Sequence, residues 1–173
     1  MVAGDDPPIL VSAGFALGYF GEDINAMMAL VDRALALNPS SARGWHASGT
    51  LRLWAGQLDL AIEHERTSLR LSPRTRVGLS LHVIGCRHFL SKGFAEAIET
   101  LPLAIQEDPN AVAYRFLSAC YAHLGRLEEA REALDRMRLI DPVVMPSYLP
   151  LRFPQHRELL LSGLRLALGE EAP

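Results

Sequence analysis

The chain has 173 residues, 49% of them hydrophobic and 21% charged. That suits one globular domain, or one and a half, and argues against disorder. A formal net charge of −3, with Lys92 the one lysine beside sixteen arginines, gives no reason to expect a nucleic-acid partner. Leu and Ala supply 51 residues against 19 for Val, Ile and Thr together, so helix is expected over sheet.

Near the start, Ile9 to Phe20 is apolar for 12 residues, too short to cross a bilayer. Asp5 and Asp6 precede it, where a secretory signal would carry basic residues. Asp6 is placed to cap a first helix opening at Pro7 and Pro8. Cys86 and Cys120 both fall in apolar helical stretches, which suits reduced thiols in the cytoplasm better than a disulfide framework.

A period then organises the chain. Pro39, Pro73, Pro109 and Pro142 stand 34, 36 and 33 residues apart. Each closes a helical phrase ending in a polar residue: Leu37-Asn38-Pro39, Leu71-Ser72-Pro73, Glu107-Asp108-Pro109 and Ile140-Asp141-Pro142. Proline disfavours α conformation in its predecessor and cannot extend the hydrogen-bond ladder, so each marks a helix end. A second break falls midway, at Gly21, Gly56, Gly93 and Gly125. The units therefore predict helix, tight turn, helix. Asp59, Glu96, Glu128 and Glu129 open the second helices, where carboxylates suit the positive end of the helix dipole.

The second unit runs Trp45-x-x-Ser48-Gly49-x-x-Arg52, then Ala61, Ser68 and Pro73. The third runs Leu81-x-x-Ile84-Gly85-x-x-His88, then Ala97, Leu101, Ala104 and Pro109. The fourth runs Tyr114-x-x-Leu117-Ser118-x-x-Tyr121, then Ala130, Leu134, Met137 and Pro142. This pattern resembles the tetratricopeptide repeat (TPR). The resemblance covers Pro7 to Pro142 and implies an all-α, right-handed superhelical solenoid of about four helix pairs, near 7–39, 42–73, 76–109 and 111–142. Small residues at Gly49, Gly85 and Ser118 are expected to let the second helices approach at Ala61, Ala97 and Ala130. The first unit departs from the pattern, with Met27 in place of Ala, as terminal repeats often do.

Pro142, Pro146, Pro150 and Pro154 recur every four residues, so 143–154 is expected to be an extended connector. A helix over 155–168, with Leu160, Leu161, Leu164, Ala167 and Leu168 on one face, should cap the last repeat or dock a second copy or another domain. Glu158 to Arg165 also resembles, more weakly, the closing helix of repeat modules behind bacterial adenylate/guanylate cyclase or winged-helix regulator domains. That resemblance implies a regulatory C-terminal module of a larger protein, or a stand-alone relative.

Catalytic motifs are absent. His64-Glu65-x-x-Ser68 lacks the second histidine of a zinc-protease helix and is expected on a solvated face. No cofactor is implied, and no enzyme. By helical phase, the inner faces of the first helices carry Arg43, His46, Thr50 and Trp54, then His82, Cys86 and Phe89, then Arg115 and His123. These nine are the candidate groove for a protein or peptide partner, because aromatics give rigid contact area and Arg can clamp a carboxylate. Trp54 and Phe89 could equally pack between repeats, and the histidines with Cys86 could hold a metal. The lysines and asparagines with which chaperone-binding relatives hold a carboxylate are not matched at His46, Thr50, Leu79, Val83 or Arg115. Charge reversal at Arg115 is expected to weaken partner capture and leave thermal unfolding nearly unchanged.

Overall fold

A computed structural model describes residues 6–20, 23–147 and 149–170. Among them the chain forms helices only: α1 (Pro7–Tyr19), α2 (Ile24–Leu37), α3 (Ala42–Trp54), α4 (Leu58–Leu71), α5 (Val77–Leu90), α6 (Phe94–Glu107), α7 (Ala111–His123), α8 (Leu127–Arg138) and α9 (Pro154–Leu168). Eight of these pair antiparallel as α1·α2, α3·α4, α5·α6 and α7·α8, and the pairs stack in order. The architecture is an all-α helical-repeat solenoid.

Local chemistry sets the ends. Ser41 Oγ accepts from the Gly44 amide at 3.0 Å and Asn110 Oδ1 from the Ala113 amide at 2.9 Å, which caps α3 and α7. Asp6 stands at the N-cap of α1, but its side chain makes no capping bond. Asn38, Ser72 and Asp108 end α2, α4 and α6 with ψ of 83°, 74° and 88°, the extended backbone that a following proline imposes.

The mid-unit breaks differ in one respect from the glycine pattern. Gly56 and Gly125 take φ of +72° and +74°. In the third unit the left-handed residue is Lys92, at φ 61°, while Gly93 has φ −79°. Gly21 lies outside the described residues.

The close approaches are also set differently from the expectation. A Cβ on Gly49 would lie 2.5 Å from Glu65 Oε1, and one on Gly85 would lie 2.6 Å from Leu101 Cδ2. The small residues thus make room for side chains one turn beyond Ala61 and Ala97. Ser118 follows the expectation, its hydroxyl donating to the Ala130 carbonyl at 2.8 Å.

The first helices contact one another along the stack, α1 with α3, α3 with α5 and α5 with α7, and form the inner layer. Across each junction between units, α3, α5 and α7 pack more on the second helix of the preceding unit than on its first. By contrast α9 packs mainly on α7 and only lightly on α8, so it leaves the repeat path and lies on the inner layer. Leu160, Leu164 and Ala167 are buried there, and a Cβ on Gly163 would sit 2.7 Å from that of Ala119.

The connector, residues 139–153, contains no helix among its described residues. By the register of the other units α8 would reach Ile140, yet it stops at Arg138. Asp141 is instead drawn to the guanidinium of Arg115 at 2.5 Å, and Leu139 is left 87% exposed.

Candidate functional site

The inner faces of α1, α3, α5 and α7 are read off at one-turn spacing, because residues four apart share a helix face. They border a cavity of about 640 Å³, bounded on its other side by the connector and by Leu160 of α9. Its wall is mainly apolar, with Phe15, Leu53, Trp54, Leu79, Val83 and Leu149 prominent, and a few polar groups stand among them.

Five of the nine anticipated residues, His46, Thr50, Trp54, His82 and Arg115, line this cavity together. Arg43 lies beside it, in a smaller depression of about 190 Å³ that it shares with His46 and Ser80. The remaining three are turned away. Cys86 and Phe89 are buried in the core, where Phe89 packs edge-on to Phe116 at 5.1 Å. His123 lies beneath α9, its Nε2 2.8 Å from the Leu159 carbonyl, stacked on Phe94 at 4.8 Å.

Arg115 is not a free groove cation. It is buried, donates from Nε to the Val144 carbonyl at 3.1 Å, and its terminal nitrogen bonds both Asp141 and the Val143 carbonyl. The neighbouring guanidinium and the Val143 amide hold the Asp141 carboxyl below the usual carboxylate range. Charge reversal at Arg115 would therefore disturb folding as well as binding, against the expectation from sequence.

Sequence reasoning also misplaced Glu65. It is fully buried rather than solvated, and Ser68 beside it is buried too. Both Glu65 oxygens lie 3.1 Å from His46 Nδ1. Burial raises the Glu65 carboxyl, opposed by the bonds to His46 and Ser80. The signal was present: Ala61, Glu65 and Ser68 fall on one helical face, and Ala61 was already assigned to packing.

His82 is held neutral, its pKa lowered to about 4 chiefly by burial and secondarily by His46. Its Nε2 lies 3.6 Å from Cys86 Sγ. Burial also raises both thiols, that of Cys120 to about 12, so neither is set up as a nucleophile. Among the described residues no group of three or more His, Cys, Asp or Glu is placed to hold a metal ion. None of the described helices is long and apolar enough to cross a membrane.

The stacked helix pairs and their concave cavity define a helical-repeat protein of the kind that presents an extended inner surface. Residues 89–152 match the family profile of the tetratricopeptide repeat, and the fold of the chain is a TPR solenoid. No curated protein sequence matches it.

Among solved structures the chain is similar to TTC0263, a thermophilic TPR protein of Thermus thermophilus. The TM-score is 0.71 at 21% identity, over 94% of this chain and 83% of that one. It is also similar to YrrB, a TPR protein with an unusual peptide-binding site, with a TM-score of 0.60 at 19% identity over 96% of this chain and 87% of that one. MamA gives a TM-score of 0.62 at 20% identity over 96% and 92%. TPR-fold proteins are generally protein-interaction scaffolds; at these identities the likeness shows the fold.

Proposed function

We propose that the chain is a non-catalytic interaction scaffold that holds an extended segment of a protein partner along its inner face. The observation that carries this is the cavity of about 640 Å³ bounded by all four first helices. Its size falls within the roughly 300–1,000 Å³ usual for ligand sites, and its apolar wall with few polar groups is the usual composition. The peptide-binding site named for YrrB is consistent with that use of the fold.

The test is selection of a random linear-peptide library on the immobilised chain, with Leu79→Arg as the counter-screen. Leu79 lines the cavity and is half-buried, so the variant should fold while placing a cation in the groove. Enriched peptides that bind the wild type and lose at least about tenfold in affinity to the variant, about 1.4 kcal/mol, support the proposal. Equal binding to both proteins would sink it.

A further inference from the structure

The segment that closes the cavity is unlike every other connection in the fold. The links between successive pairs run over residues 38–41, 72–76 and 108–110, whereas the connector to α9 takes residues 139–153. It does not return to the repeat path. Starting at Arg115 near the beginning of α7, it crosses the inner layer to the far ends of α3 and α1. There the Arg152 amide donates to the Trp54 carbonyl at 2.9 Å, and its guanidinium donates to the Gly18 carbonyl at 3.2 Å. Leu151 is buried, and the Phe153 ring covers Gly56 so closely that a Cβ there would overlap it.

Between these anchors the segment carries Pro142, Pro146 and Pro150 and forms part of the cavity wall through Pro146, Leu149 and Pro150. It thus lies across the concave face that a ligand would occupy. Val143 and Phe153 remain 53% and 42% exposed, while Val144, Met145, Leu149 and Leu151 pack against the core, so its apolar groups are divided between the two sides. Proline fixes φ, so a proline-punctuated backbone loses little entropy on docking.

We propose that the described residues of the connector, 141–147 and 149–153, are a built-in occupant of the groove, displaced when a partner binds. The partner is then a segment of the same chemistry: proline-punctuated and apolar, with a carboxylate near its N-terminal end that reaches Arg115. The proposal rests on the inner face being the interaction surface, and it adds what that surface accepts and what must leave first. A tethered occupant competes at an effective concentration on the order of millimolar, so the resting protein would bind such a partner weakly.

The experiment uses the full chain and a fluorescein-labelled synthetic peptide of residues 141–153, read by anisotropy. Leu151→Asp should loosen the tethered copy without touching the groove wall. Phe153→Ala, at a half-exposed position, serves the same purpose if the first variant does not fold by circular dichroism. The loosened protein should bind the peptide at least about tenfold more tightly than wild type, and an Asp141→Lys version of the peptide should lose that gain.

Equal or absent binding in a folded, loosened variant would show that the connector is a fixed part of the core. A light-scattering mass that doubles with concentration, in place of peptide uptake, would assign the groove to a second copy's connector and overturn the foreign partner. If the library yields Leu79-sensitive peptides while the connector peptide fails, this proposal falls and the scaffold function stands.

Discussion

Lowering the pH should weaken this fold through His82. Its imidazole lies between α5 and α7, within 3.6 Å of Cys86 Sγ and edge-on to Phe116. Burial lowers its pKa from 6.5 to about 4. The unfolded chain therefore accepts a proton near pH 6.5 that the folded chain resists. The stability that results is present in full above 6.5 and is lost as the pH falls through the folded value. The gap between 6.5 and about 4, at about 1.4 kcal/mol per pH unit, amounts to roughly 3 kcal/mol.

The assay is urea unfolding followed by far-ultraviolet circular dichroism at steps from pH 7 to pH 4, in wild type and His82→Gln. Glutamine cannot take the proton. Wild type should therefore lose about 3 kcal/mol more than the variant across that interval. Glu65 works in the opposite direction. Its raised carboxyl contributes stability at low pH that is lost as the pH rises through the folded value. Since both proteins carry Glu65, its effect largely cancels in the difference. Parallel loss of stability in the two proteins would mean that His82 is hydrated in solution and that the floor of the cavity is not as described.

Two further substitutions test the repeat geometry. Lys92→Gly should raise stability by about 1 kcal/mol, and the melting temperature by about 2–4 °C, because Lys92 holds a left-handed φ that Gly56 and Gly125 adopt without a side chain; an unchanged melt would refute that conformation. Gly85→Ala should cost about 1–3 kcal/mol, since its Cβ would meet the buried Leu101 side chain at 2.6 Å, and a neutral result would mean that α5 and α6 do not meet there.

Most of the repeat fold was legible because its signals act within one turn or between neighbouring helices. A proline restricts the residue immediately before it, and so Asn38, Ser72 and Asp108 each end a helix. The candidate site was legible only as far as helical phase carries. His46, Thr50, Trp54, His82 and Arg115 share the inner layer as their spacing implies. Phase does not say how deep a side chain sits, so Phe89 and Cys86 were placed on the groove although the fold buries them. Glu65 shows the converse error, where a carboxylate was assigned to solvent by its charge although its spacing from Ala61 marked it as interior. Phe15, on the atypical first unit, had no repeat pattern to assign it to the cavity wall.

What the sequence by itself determined, then, is the helical class, the repeat period, the breaks at Gly56, Gly93 and Gly125 and the absence of helix among the described residues of the proline-bearing connector. All of these follow from backbone restrictions and from residue spacing on single helices. The tertiary structure alone decided that α9 turns back onto α7, that Arg115 is consumed by Asp141 and two connector carbonyls, and that Arg152 reaches Gly18 across 134 residues of chain. No local rule encodes those contacts. They depend on which apolar faces remain uncovered once four pairs have stacked, and the C-terminal segment covers the one that the stacking leaves open.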